Sequence, residues 1–236
     1  MEILDLVVLA AGRGTRMEEA VPKQFVPLGG QPMIVVGLKV FESLPYIGTK
    51  VVVCSQDQMN RMNGILSEYR ISNFVLVKGG EVRAESVRNG LDRVRSERVI
   101  THNAAMPFVT KRLVDQVVAE DYDCVTTVTP VEYNLCEGEA FAERIVPRAH
   151  LKLINTPQSF RTRVFRECHE RARRDGYIPQ SDCELMLHYG QTVRFVPGTA
   201  NNIKITTRVD LMVAEMMLRN PSLWSEPCCD GLGEGL

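Results

Sequence analysis

The segment Leu4-Asp5-Leu6-Val7-Val8-Leu9 runs straight into Ala10-Ala11-Gly12-Arg13-Gly14-Thr15-Arg16, and no other stretch constrains the fold as much. A short apolar run that ends in small residues and glycine reads as a buried parallel strand entering a tight turn. Behind it, strand-like runs at 50–54, 74–77, 98–102 and 124–128 alternate with helical spacing at 32–43, 56–68, 85–95 and 110–119. Strands that alternate with helices call for a Rossmann-like α/β fold, a mostly parallel central sheet with helices on both faces.

The rhythm changes after Pro130. Residues 132–153 are polar, carry no helical period and contain Gly138 and Pro147, which predicts an extended β-arm. Beyond the arm, the spacing predicts helices at 160–175, 181–189 and 208–218 and strands at 192–196 and 203–205. Ser181 and Asp182 are candidate helix caps. No Pro/Gly-rich linker divides the body, so one domain over 1–219 with an inserted arm is expected, followed by a flexible tail at 220–236.

Composition excludes several function classes. The net charge of −1 over 236 residues gives no global pull toward nucleic acid or an anionic membrane. Six arginines between Arg161 and Arg174 look basic, but Glu167, Glu170 and Asp175 interleave with them and make a salt-bridged solvent face. No apolar run approaches the ~20 residues of a membrane span. The start, Met1-Glu2-Ile3-Leu4-Asp5, carries acids where a signal peptide carries positive charge, so a cytoplasmic location is expected. The seven cysteines form no Cys-x-x-Cys pair, and the four histidines have no metal-ligand spacing.

The glycine loop points to phosphate. Glycine lets the backbone take positive φ and approach a ligand closely, so that successive N–H groups cradle phosphate oxygens. Arg13, Arg16 and Lys23 add positive charge. The Walker pattern is absent, and Met17 stands where the dinucleotide fingerprint needs a third glycine.

The longer string, from Leu9-Ala10-Ala11-Gly12 through Arg16-Met17 to Pro22-Lys23-Gln24-Phe25, resembles the sugar-nucleotidyltransferase superfamily. Within it, the chain is most similar to the 2-C-methyl-D-erythritol 4-phosphate cytidylyltransferases and their ribitol-5-phosphate relatives. Four further segments carry the likeness: Gly79–Val87, His102–Phe108, Thr156-Pro157-Gln158 and Asn202–Thr206.

The resemblance implies that CTP lies on Ala10, Ala11, Gly12 and Gly14, with Mg²⁺, and that an acceptor phosphate attacks the α-phosphorus while pyrophosphate leaves. Such chemistry needs positioning and charge neutralisation more than a covalent nucleophile. Arg16, Lys23 and Lys204 are the implied catalytic cations. Gly80, Glu81 and Ser86 are implied to read the base, with Arg83 supporting that loop or touching phosphate; Ser86 also suits a helix N-cap. Asn103 is implied to meet CTP from the metal and acceptor side of the site. Met106, Asn134, Arg148, Thr156 and Ser181 fall where the family meets the acceptor. The arm implies a homodimer in which Arg148 reaches across.

Departures cluster on the acceptor and metal side. Where the family has His-Asp-x-x-Arg-Pro, this chain has His102-Asn103-Ala104-Ala105-Met106-Pro107. Asn103 replaces an aspartate and Met106 an arginine. Asn134 replaces a threonine of the arm, and Asn201 stands where an acidic residue often precedes Asn-Ile-Lys. Asn brings no charge to Mg²⁺, and Met brings neither charge nor useful hydrogen bonding. The expectation is a cytidylyltransferase with a changed acceptor, another polyol phosphate or a phosphonate. A degenerate CTP-binding protein with a regulatory or assembly role is the alternative.

Overall fold

In the first strand, β1 (Leu4–Leu9), successive side chains enter opposite cores: Leu4, Leu6 and Val8 pack on one face and Val7 on the other. Asp5 is buried in the same strand. Its carboxylate accepts backbone N–H bonds from Thr49 at 2.7 Å, Arg95 at 2.5 Å and Ser96 at 2.9 Å, which offsets its desolvation. The computed structural model describes residues 3–12 and 21–224.

After the short ladder of β2 (Pro27–Leu28) and β3 (Gln31–Pro32) comes α1 (Met33–Glu42), then β4 (Ile47–Cys54), α2 (Met59–Glu68) and β5 (Phe74–Lys78). The chain continues through α3 (Arg83–Leu91), β6 (Arg98–Asn103), α4 (Lys111–Val118) and β7 (Cys124–Pro130). The arm carries the hairpin of β8 (Leu135–Glu137) and β9 (Arg144–Val146). There follow β10 (Lys152–Arg161), α5 (Thr162–Asp175), α6 (Asp182–His188), β11 (Val193–Pro197) and α7 (Arg208–Arg219).

Among the described residues the central sheet has seven strands in the order β11, β7, β10, β6, β1, β4, β5, with β10 antiparallel to both neighbours and the other pairings parallel. One face is covered by α1, α2 and α4, through Leu38, Phe41, Met62, Ile65 and Val114. The other is covered by α3, α5 and α6, through Val87, Leu91, Phe165, Leu185 and Met186. The expected mostly parallel α/β sheet with helices on both faces is therefore present. The chain steps from β1 outward to β4 and β5, then returns to the far side of β1 as β6. That reversal opens a crevice beyond the carboxyl ends of β1 and β6, where open α/β sheets hold ligands.

Two expectations fail. The helix expected at 160–175 starts at Thr162, because residues 152–161 form the antiparallel strand β10. Its polar sequence and Pro157 hide it from a search for apolar runs. Residues 203–205 are no strand. Ile205 donates a single N–H bond to the Ala105 carbonyl at 2.8 Å and buries its side chain, leaving an irregular segment along the crevice.

Side-chain caps fix three helix starts. Thr110 accepts from Leu113 N–H at 3.3 Å, Ser181 from Glu184 N–H at 3.1 Å, and Thr207 from Asp210 N–H at 3.1 Å. After α7, Pro221–Leu223 makes a 3-10 turn, and the Trp224 ring meets Phe108 edge-on at 5.1 Å between centroids. Cys228 and Cys229 lie outside the described residues.

Candidate active site

A crevice of about 860 Å³ opens at the carboxyl edge of the sheet. Its wall gathers Ala10, Ala11 and Gly12 from the exit of β1, Lys23 from the turn beyond, and Gly80, Glu81, Arg83 and Ser86 from the β5–α3 junction. It also takes Asn103 from the exit of β6, Thr156 from β10, Ser181 before α6, and Lys204 from the irregular segment. Twelve residues singled out from sequence thus converge on one cavity although they span the chain from 10 to 204. Gly14 and Arg16 lie outside the described residues.

The tight backbone of the first wall depends on glycines other than the one expected. Gly12 has no positive φ, and a Cβ there would meet nothing within 4 Å among the described residues. At Gly79 a Cβ would come within 2.6 Å of the Ala11 Cβ, and at Gly80 within 2.2 Å of the Glu85 Cβ. Gly79 lets the β5–α3 loop close onto the β1 loop, and Gly80 lets it fold back against the first turn of α3. Ser86 Oγ accepts the Gly80 N–H at 3.1 Å, and Glu85 Oε2 accepts the Glu81 N–H at 2.8 Å. Ser86 lies inside the first turn of α3, whose N-cap is Val82, so it staples the glycine loop and does not cap the helix.

Arg83 and Asp182 form the floor. The Arg83 guanidinium takes both carboxylate oxygens of buried Asp182, with Nη2 at 2.6 Å from Oδ2, and Thr101 Oγ1 donates to Oδ2 at 3.3 Å. Burial by itself raises the carboxyl pKa of Asp182, but the charge and hydrogen bonds of Arg83 outweigh it and hold the group below its ordinary value.

His102, buried behind Asn103, links the opposite wall. Its Nε2 lies 2.9 Å from the Met106 carbonyl, which can only accept, so Nε2 carries the proton. Nδ1 then accepts from Thr156 Oγ1 at 3.0 Å, and Thr156 Oγ1 accepts the Asn103 N–H at 3.2 Å. Burial pushes His102 down to about 4 against the pull of the Met106 carbonyl, so the ring is neutral near pH 7. The same chain of bonds ties up the Thr156 hydroxyl.

Three residues expected at the acceptor are not on the crevice wall of this chain. Met106 is only 2% exposed; its thioether turns inward, with Sδ 3.3 Å from Thr156 Oγ1. An uncharged side chain gains by leaving water, which is why Met106 sinks beneath the floor. Asn134 and Arg148 sit exposed on the arm, and the Arg148 guanidinium donates to the Glu132 carbonyl.

Sequence reading missed other wall residues: Gln24, Asp57, Lys78, Asn155, Gln158 and Gln180. Gln24 and Gln158 stood inside quoted motifs, so a role was within reach; Asp57 and Gln180 stand in no motif. Among the described residues no cluster of three or more His, Cys, Asp or Glu side chains gathers to hold a metal ion.

Comparison with known proteins agrees with this geometry. The family model described as IspD, 2-C-methyl-D-erythritol 4-phosphate cytidylyltransferase, matches residues 4–220. The enzyme of that name from Geobacillus kaustophilus is 36% identical over 219 residues, covering 91% of this chain and 96% of the relative. The ribitol-5-phosphate cytidylyltransferase of Vibrio parahaemolyticus is 32% identical over 224 residues, covering 90% of this chain and 94% of the relative. The crystal structure of the Thermus thermophilus 2-C-methyl-D-erythritol 4-phosphate cytidylyltransferase superposes with a TM-score of 0.78 at 31% identity, over 93% of this chain and 100% of that one. A loop-lined crevice at the switch point, reached by the family's motifs in order, and relatives that cover the chain nearly end to end lead to one assignment: the chain is a nucleotidyltransferase and belongs to the 2-C-methyl-D-erythritol 4-phosphate cytidylyltransferase family.

Proposed function

We propose that this protein moves CMP from CTP to the phosphate or phosphonate of a small polyol-like acceptor other than 2-C-methyl-D-erythritol 4-phosphate, releasing pyrophosphate. The observation that carries the change of acceptor is the pair Asn103 and Met106. The first puts a neutral carboxamide on the crevice wall where the family has a carboxylate, and the second withdraws from the wall where the family has a cation. The nucleotide side keeps its Ala-Ala-Gly turn, Lys23, the Gly79-Gly80 loop and Ser86. Decay of an idle enzyme would not respect that division.

In this reading the triphosphate lies over the turn at Ala10, Ala11 and Gly12, with Arg16, Lys23 and Lys204 neutralising charge as the bond to the leaving pyrophosphate lengthens. The cytosine sits against Gly80, Glu81 and Ser86, and Arg83 stiffens that loop. Thr156 and Ser181 bound the acceptor end. The described residues do not fit a resident magnesium site: Asn103 is uncharged, and the acids on the wall, Asp57 and Glu81, belong to no group of three or more His, Cys, Asp or Glu side chains that could hold a metal. Magnesium therefore enters as the substrate MgCTP.

Asn134 and Arg148 serve the crevice of a second copy in a homodimer. Tyr133 and Phe141 support this, because they leave 82% and 86% of their surface exposed on the arm, where an isolated chain gains nothing from them. Buried free thiols at Cys54, Cys124, Cys168 and Cys183 support a reducing, cytoplasmic setting. No helix among the described residues is long and apolar enough to cross a membrane.

The test is pyrophosphate release from CTP across a panel of polyol phosphates and phosphonates, with ribitol 5-phosphate and 2-C-methyl-D-erythritol 4-phosphate included. Tight CTP binding with no release from any acceptor would leave the degenerate, CTP-binding alternative standing. Fastest turnover with methylerythritol phosphate would sink the changed acceptor.

A further inference from the structure

α7 carries four apolar side chains that its own chain leaves uncovered. Val209, Met212, Val213 and Met216 are 68%, 68%, 43% and 64% exposed, and their spacing sets them in one stripe along the helix. The inner face is already used, with Ala214 and Met217 buried among Leu28, Phe108 and Ile205. The helix is therefore apolar on two sides and packed on one.

The charges around the stripe are sorted by sign. Asp210 is taken up at the helix start, where it accepts from Thr206 and Thr207, and Glu215 accepts the Gly29 N–H at 2.9 Å. Both acids thus turn to their own chain. Arg208 and Arg219 stand exposed at the two ends of the helix, about 16 Å apart along its axis.

The tip of the arm carries the matching half. Its turn, residues 138–143, is closed by the Glu143 N–H on the Glu137 carbonyl at 2.7 Å and braced by the ion pair of Arg144 with Glu137. Phe141 projects from that turn with 86% of its surface exposed, between Glu139 and Glu143, which are exposed as well. An aromatic ring between two acids complements an apolar stripe between two bases. Methionine thioethers make favourable contacts with aromatic rings and adapt to their shape. Opposite charges around the contact set its register.

Within one chain the two surfaces do not meet, since both are exposed. A second copy supplies each with the other, and a two-fold axis repeats the contact. The place fits too. α7 follows the irregular segment that brings Lys204 to the crevice wall, so an arm seated on it stands beside the crevice.

We propose that the outer stripe of α7 is the seat for the arm tip of a second copy, with Phe141 resting on Met212 and Met216 and its flanking acids reaching Arg208 and Arg219. The inference rests on the homodimer reading above and goes beyond it, because it names the surface that receives the arm.

Sedimentation equilibrium on the full chain tests it. Wild-type protein should dimerise, and Phe141→Ser should raise the dissociation constant at least about 30-fold, as for loss of an interface anchor. Met212→Ser combined with Met216→Ser should weaken the dimer to a similar degree. Glu139→Arg with Glu143→Arg should weaken it about tenfold, and so should Arg208→Glu with Arg219→Glu. Joined in one chain, those four charge changes should restore wild-type affinity. Far-UV circular dichroism should match wild type throughout, because every changed side chain is exposed. Wild-type protein that stays monomeric at every concentration overturns the homodimer reading and this inference together. A dimer indifferent to both Phe141→Ser and the methionine changes overturns the seat alone and leaves the homodimer standing. A dimer weakened by the methionine changes but not by Phe141→Ser has its α7 helices packed on each other, and the arm is then not the occupant. Should those variants fold poorly, the charge exchange decides, and a combined chain no tighter than its two parents is the contrary result.

Discussion

Arg83 and Asp182 meet as a forked pair, guanidinium to carboxylate, with Nη2 2.6 Å from Oδ2 and the acid almost wholly buried beneath the crevice. The pair joins α3 to α6 across 99 residues and fixes the start of α3, whose Ser86 holds the Gly80 loop. Removing one partner of such a pair leaves the other charge stranded. Asp182→Ala should destabilise the fold by about 3–5 kcal/mol, read as a lower urea midpoint at unchanged m-value. A shift within experimental error would mean that the pair does not brace the crevice.

Lys23 stands in a 3-10 turn on the wall of the cavity. If it neutralises triphosphate charge in the transition state, Lys23→Ala should lower pyrophosphate release at least about 100-fold. The Tm should hold, because no core residue is disturbed. Rates equal to wild type would remove Lys23 from the mechanism.

The acceptor reading is reversible by design. Asn103→Asp combined with Met106→Arg restores the family's charges at the exit of β6. Activity with 2-C-methyl-D-erythritol 4-phosphate should then rise about tenfold or more relative to the protein's own acceptor, in keeping with one regained charged contact. The comparison of kcat/KM values for the two acceptors checks it; no gain would mean that specificity is set elsewhere.

Stability should fall on mild acidification. His102 and His169 are both pushed by burial down to about 4, from an ordinary 6.5. A histidine whose folded pKa is depressed favours the fold while neutral. Its contribution is complete above about 6.5 and is lost as pH falls from there toward about 4. Urea unfolding should be level from pH 8 to 7 and then weaken by about 1.4 kcal/mol per pH unit for each group. His169 packs against Phe165, and neither ring nitrogen has a hydrogen-bond partner among the described residues. His169→Phe should therefore remove about half of the slope, and an identical slope would contradict the buried neutral ring. Asp5 and Asp182, held below the ordinary 3.8, add a further loss in more acidic solution.

Much of this was legible in the chain. Leu4–Leu9 followed by Ala-Ala-Gly places the first strand and its loop because a buried parallel strand must be apolar on both faces. Gly80 and Ser86 were legible as a unit only through the family resemblance, although the physical reason lies in the stapling bond from Gly80 N–H to Ser86 Oγ. What stayed hidden depends on partners distant in sequence. Residues 152–161 are polar and interrupted by Pro157, so only pairing with β6 and β7 makes them a strand. Ile203 and Ile205 mimic a strand, yet their burial comes from packing beside α7, with one backbone bond to Ala105. Met106 was readable as a missing charge, but its inward turn follows from Thr156 and His102, which meet only in the fold.

The reversed direction of β10 has a consequence for how this molecule changes over time. Because Lys152 at its entrance stands opposite Pro130 at the exit of β7, the arm leaves and rejoins the sheet at one edge, like a cassette between adjacent sockets. Insertions, deletions or wholesale exchange there leave the register of β1, β4 and β5 untouched. The exposed hairpin is thus a part that can be replaced while the sheet that shapes the crevice stays as it is.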